Sequence, residues 1–368
     1  MPEPTRSGVV PGRPALTRRR LLAAGAGAAV AAVLSGCHVP VIDPAVDRSG
    51  KRKLIGLSLY ADDPYTRSVA SGVAAALKGS GYALLARRAD LSATKEAANL
   101  QSFINRKTSG FVVLPVAVET ATRGAQMAQS ASIAVIDALY PGPNGNADKY
   151  YAGAIAYGGQ AGGAMLASAA AKAAPRGGQV IVVQGLLGQG ASETLDRGLD
   201  ATLARHPNLR VVARGPGGLT AAGALAMVRA AFASNPRANV VIDYGAVMGD
   251  AIAGFLQATG RRNVVHLTTG ATPQTPRWLG TPYLKATLYW PAAEVGRQAA
   301  STLLSVLRDE DQQADPFLHM LDQRVRTSLQ GVSPNASATR VQVLPPAPQT
   351  EIEPLPQQGP AATSTSPG

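Results

Sequence analysis

No catalytic constellation stands out in this chain. His-Glu-x-x-His, Cys-x-x-Cys, Gly-x-Ser-x-Gly and phosphate-loop patterns are all absent. The four histidines, His38, His206, His266 and His319, are dispersed. His206 precedes Pro207 at a helix end and reads as solvated, and His266 sits in an apolar strand and reads as core. The residues that do gather suit holding a molecule rather than transforming it. The run LIGLSLYADDPY (54–65) is an apolar strand, a polar corner and the start of a helix. Pro64 fits a first helical turn, whose N–H groups lack partners anyway, and Asp63 is placed to cap it. In an open parallel sheet, ligands sit beyond the carboxyl ends of the strands. The corner from Tyr60 to Tyr65 is therefore a candidate wall of a binding site.

The chain ahead of this strand reads as an address. Residues 1–36 carry five Arg and one Glu, +4 of the chain's net +12. Arg18, Arg19 and Arg20 head an uncharged run over 21–34, shorter than the roughly 20 residues a spanning helix needs. A cleaved signal fits it, and the paired arginines resemble a twin-arginine export signal, although a general secretory signal is also basic at its head. The run ends in Leu34-Ser35-Gly36-Cys37, which resembles a bacterial lipobox whose cysteine is lipidated. Cys37 is the one cysteine, so disulfides within the chain and multi-cysteine metal sites are excluded. Residues 37–52 read as a tether. The remaining basic residues are scattered singly, which indicates a solvated surface rather than a nucleic-acid interface.

From residue 53 strands and helices alternate. Strands are expected at 54–60, 82–87, 110–115, 133–137 and 151–157, with helices at 64–78, 92–106 and 118–130 between them. Ser92 reads as the cap of the second helix, with Glu96 near its first turn. A second series follows, with strands at 180–184, 209–214, 240–244, 264–268 and 283–289. Its helices are expected at 159–173, 193–205, 219–234, 247–259 and 294–307. Strand–helix alternation implies right-handed crossovers and parallel sheets, and two series imply two doubly wound α/β lobes. The segments 321–329 and 339–344 look strand-like. Residues 346–368 hold too few apolar side chains to offset ordering and are expected to be disordered. The glycine-rich segments 185–190 and 215–218 follow strands and read as cleft loops.

Several segments together resemble type I periplasmic binding proteins of the ribose-binding kind. They are SLYADDPYTRSVASGVAAALKGSGYAL (58–84), TKEAANLQ (94–101), GFVVLP (110–115), SIAVID (132–137), QVIVVQG (179–185), DRG (196–198) and LKATLYWP (284–291). The resemblance runs over about 53–330. It implies two lobes joined by a three-crossover hinge: 53–156 with about 291–315, and 157–290 with about 316–345. The helix after Pro291 would return to the first lobe and a strand near Arg324 to the second. The same core occurs in Lac-type repressors, but here a signal occupies the place of their helix-turn-helix.

By position the resemblance points to Tyr60, Asp63, Tyr65, Asp137, Arg197, Tyr244, Thr269 and Trp290 as ligand contacts. Aromatic rings stack on the apolar side of a sugar, and charged groups bind its hydroxyls. Each has a plainer role open to it. Asp63 can cap a helix, Tyr65 can cover the hinge side of that helix, Arg197 can pair with Glu193, and Trp290 can pack in a core. Tyr244, Thr269 and Trp290 replace the family's Asn, Asp and Gln, making the cleft less acidic and more aromatic. A glycoside, cyclic polyol, nucleoside or aromatic metabolite then joins the simple sugars as a candidate ligand. The implied protein is a monomeric, lipid-anchored clamp serving an ATP-binding-cassette importer, with no cofactor or metal and no turnover. A ligand sensor of the same fold, or an interaction lipoprotein with a decayed cleft, is the alternative.

Overall fold

The computed structural model describes residues 53–140, 149–156, 159–312 and 340–343. The export signal, Cys37, the tether, the 321–329 segment, the third crossover and the C-terminal tail lie outside the described residues.

Two parallel sheets organise the chain. The first is built from β1 (Lys53–Leu59), β2 (Tyr82–Arg88), β3 (Gly110–Val113), β4 (Ala134–Tyr140), β5 (Gly153–Ala156) and β11 (Arg340–Val343). Its order is β2-β1-β3-β4-β5-β11. The second holds β6 (Gly178–Gln184), β7 (Leu209–Pro216), β8 (Val240–Asp243), β9 (Val265–Thr269) and β10 (Ala286–Leu288), in the order β7-β6-β8-β9-β10. The two orders are equivalent. In each, the strand order reverses beside the first strand of the series, which opens a crevice at the carboxyl edge. β1, β3, β6 and β8 are continuous apolar runs because helices cover both of their faces.

In the first lobe α1 (Pro64–Leu77) and α9 (Ala292–Gln312) cover one face, packing Val69, Val73, Val295 and Leu303 on Ile55, Leu57 and Ile136. On the other face lie α2 (Ala93–Asn105) and α3 (Val118–Ser130), with Leu100, Phe103 and Ala125 against Leu85 and Phe111. The second lobe repeats the arrangement. There α4 (Gly159–Ala173) and α5 (Ala191–Leu203) cover one face, and α6 (Ala221–Ser234) and α7 (Ala246–Ala258) the other. The single-turn α8 (Thr275–Trp278) follows β9.

One pair of helices in each lobe crosses almost backbone to backbone. A Cβ on Gly72 of α1 would lie 1.9 Å from the Ala293 carbonyl oxygen, and one on Gly296 of α9 would lie 2.0 Å from that of Val69. The α4–α5 pair does the same: a Cβ on Gly163 would lie 1.9 Å from the Leu195 oxygen, and one on Gly198 1.8 Å from the Gln160 oxygen.

The strand near the C-terminus corrects the expected division of the chain. Residues 340–343, expected in the second lobe with the rest of 316–345, form β11 beside β5 in the first sheet, with Arg340 opposite Gly153 and Val343 opposite Ala156. β5 would otherwise present an unpaired row of N–H and C=O groups, and a further parallel strand satisfies it. The strand expected over 283–289 is also shorter, at Ala286–Leu288. The Tyr283 carbonyl ahead of it is taken by His266 Nδ1 at 2.7 Å, and Pro291 follows close behind.

Candidate functional site

The corner after β1 is built by local chemistry. Asp63 Oδ1 accepts from Thr66 N at 2.8 Å, and Thr66 Oγ1 accepts from Asp63 N at 3.1 Å, a reciprocal capping box with Pro64 at the first helical position. The Tyr60 hydroxyl also bonds to the Asp63 carboxyl. Burial raises the Asp63 pKa above the usual carboxylate range, and the Thr66 and Tyr60 bonds pull it part of the way back. The corner therefore presents two tyrosines, Pro64 and a carboxyl already held by its own turn.

Opposite it stand the strand ends of the second lobe. Together they enclose a cavity of about 70 Å³, room for about five ordered waters, which suits one small molecule rather than an oligomer. The first lobe contributes Tyr60, Asp63, Pro64, Tyr65 and Leu139. The loops after β6 and β7 contribute Gly185, Gln189, Ser192 and Leu219, with Leu195 from α5. Tyr244 to Val247 follow β8, and Thr269 to Thr272 close β9. Both glycine-rich segments border the cleft, through Gly185 and Gln189 in one case and through Leu219, just beyond 215–218, in the other.

Five of the eight residues singled out in the sequence thus meet at one cavity: Tyr60, Asp63, Tyr65, Tyr244 and Thr269. Three do not. Asp137 is buried at the end of β4, where its Oδ1 accepts from Leu139 N at 2.8 Å. It shapes the turn, and Leu139 two residues on reaches the cleft. Arg197 is exposed on α5 and donates to Thr194 Oγ1 at 3.1 Å rather than pairing with Glu193. Leu195 faces the cleft, and two residues further is about 200° around a helix. Trp290 is 1% exposed and packs in the second-lobe core with Leu195 and Leu288. Gly162 opens the slot: a Cβ there would meet Trp290 Cζ2 at 2.8 Å. Gln189, Ser192 and Thr272 were not singled out. They are uncharged residues in loops, and their one signal was the glycine-rich or strand-end setting.

Charged groups stand behind the walls and hold them in place. The Tyr244 hydroxyl donates to Asp196 Oδ1 at 2.7 Å, so its ring faces the cleft edge-anchored from behind. Burial and the Asp196 charge raise the Tyr244 pKa and keep the phenol neutral. Asp196 also takes Gln184 Nε2 at 2.6 Å and lies 3.7 Å from Arg214. Asp250 accepts from Thr272 and Thr275, and burial raises its pKa against those bonds. Asp243 and His266, both 0% exposed, meet at 2.8 Å. Asp243 further accepts from Thr268 Oγ1 at 2.7 Å and Gly245 N at 3.2 Å, tying the ends of β8 and β9 together. Among the cavity-lining residues Asp63 is the one carboxyl, and no Arg or Lys is present.

A family model described as periplasmic binding protein domain matches residues 55–311. The chain belongs to that family. This binding protein is 24% identical over 253 residues to a ribose import binding protein of Escherichia coli strain K12, covering 69% of this chain and 84% of that one. Among solved structures, it matches an ABC transporter solute-binding protein of Bacillus halodurans C-125 with bound myo-inositol. The TM-score is 0.65 at 19% identity, over 71% of this chain and 90% of that one. A second match is a periplasmic solute-binding protein of Actinobacillus succinogenes 130z with bound D-allose, at TM-score 0.66 and 17% identity, over 80% and 96% of the chains. The type I fold, two parallel-sheet α/β lobes, is common to them.

Proposed function

We propose that this protein is an extracytoplasmic solute receptor that captures one uncharged, sugar-like molecule between its lobes and delivers it to an ATP-binding-cassette importer. The observation that carries the reading is the cleft itself. Two lobes contribute to it from their strand ends, three tyrosines line it, and Gln189, Ser192, Thr269 and Thr272 supply uncharged hydrogen-bonding groups. Rings of this kind stack on the apolar face of a saccharide or cyclic polyol while amides and hydroxyls bind its edge. The bound myo-inositol and D-allose of similar structures, and the ribose of the E. coli relative, support the ligand class. The cleft departs from a strongly charged sugar site, which favours neutral ligands, with or without an apolar substituent, over sugar acids and phosphates.

The test is a thermal-shift panel of neutral sugars, polyols and their glycosides, each paired with its uronic acid or phosphate. A neutral member at about 100 times its dissociation constant should add about 2.7 kcal/mol of stability, with its charged partner inert. Stabilisation by charged members alone would overturn the ligand class. Silence across the panel would overturn the receptor reading. The membrane anchor is proposed to be lipid on Cys37. Cys37→Ser should move the protein from the membrane to the soluble fraction; a protein that stays with membranes would exclude that anchor.

A further inference from the structure

Four backbone positions of the first lobe, 115–118, lead from β3 into α3, and their polar groups are engaged in an unusual way. The cap position of α3 is Ala117, which has no side-chain acceptor to offer the helix, so the opening N–H groups need partners from elsewhere. Glu96, reaching across from α2, takes two: its Oε1 accepts from Val116 N at 2.7 Å and its Oε2 from Ala117 N at 3.3 Å. The next amide, that of Val118, is taken by the other lobe. It donates to the Gly188 carbonyl at 2.8 Å. The neighbouring Gln189 sends Nε2 back to the Pro115 carbonyl at 2.9 Å. Gln189 is 3% exposed and also lines the cavity. Within its own lobe the loop is tied by Gly188 N donating to Glu193 Oε1 at 2.9 Å.

We infer that 115–118 of the first lobe and Gly188–Gln189 of the second form a latch that holds the cleft closed, with Glu96 as the residue positioning its first-lobe half. The inference rests on the two-lobed receptor reading and extends it. The helix start of α3 lacks a cap of its own, and the closing lobe completes it with a carbonyl. Gln189 belongs to both the latch and the cavity wall, so a ligand that contacts it also biases closure. Opening breaks both interlobe bonds and exposes the Val118 amide to solvent.

The test is residue-resolved hydrogen exchange on the full chain without ligand, in Gln189→Ala and Glu96→Gln. Gln189→Ala removes a second-lobe side chain that never touches Val118, yet Val118 exchange should rise about tenfold, the factor one net hydrogen bond is worth. Glu96→Gln should speed Val116 and Ala117 directly and Val118 along with them. Unchanged Val118 exchange in a folded Gln189→Ala protein would overturn the latch. A Glu96→Gln effect confined to Val116 and Ala117 would reduce Glu96 to a local cap. Should Gln189→Ala not fold, Gln189→Glu decides: nearly isosteric, it turns an acceptor toward the Pro115 carbonyl, and a latch must then release Val118. A ligand-stabilised protein with unmoved Val118 would sink the latch and leave the receptor reading standing.

Discussion

Glu96 sits fully buried with two backbone amides on its carboxylate and no cation among the causes of its shift. The nearest charges along its own and the neighbouring helix are engaged elsewhere: Lys95 with Asp90, and Arg123 with Glu119. Burial pushes its pKa from 4.5 up to about 7, against the pull of the two amides. A raised carboxyl binds its proton more tightly in the fold than in the unfolded chain. Its contribution to stability is therefore complete below about pH 4.5 and is lost as pH climbs through about 7, a change of up to about 3 kcal/mol. Glu96→Gln cannot titrate, so the Tm advantage of the native chain over this variant should shrink between pH 5 and pH 8. A gap that stayed constant, or widened, would contradict the shift. In the sequence Glu96 looks like an ordinary first-turn acid four residues after Ser92. Ser92 does cap α2 through Lys95 N, but the acid turns inward to amides twenty residues on, which no local pattern encodes. Asp63 was legible because its partner Thr66 is three residues away. Trp290 was not, since the slot that buries it is opened by Gly162, far back along the chain.

Helices that cross through paired glycines leave no room for even one methyl group. In Gly163→Ala the new Cβ would have to displace the Leu195 carbonyl, which is backbone and cannot rotate away. The α4–α5 contact must then separate, and overpacking of this kind costs about 1–3 kcal/mol or more. Gly254 in α7 is the control, because a Cβ there would meet only the Trp278 ring at 3.9 Å. Gly254→Ala should be neutral or gain up to about 1 kcal/mol from helix propensity. Urea unfolding of the two variants tests the contrast, and equal effects would refute it. At this scale the sequence reading of alternating strands and helices located the elements well, since periodicity and turn residues report on neighbours within a few positions. It misplaced β11 because an edge strand's partner depends on which sheet is left with an open edge, a property of the assembled lobe. Nor does a glycine in a helix announce the helix it approaches.

At the scale of the molecule, both sheets carry the same strand order and turn their carboxyl edges to one cavity. That much followed from the alternation together with the rule for crevices in open sheets. What did not follow was where the charges would lie. Asp196, Asp243, Asp250 and Arg214 brace the walls from outside, and the surface that meets the ligand is rings, small hydroxyls and amides. The chain as a whole carries a net charge of +12, whose far field draws anions toward the surface. Inside the cleft that attraction has no cation to end on. A neutral solute gains nothing from the field on approach, so salt, which screens such fields over about 10 Å at 0.1 M, leaves its capture rate unchanged. The receptor collects its solute by random encounter, and its selectivity resides in how long the solute stays.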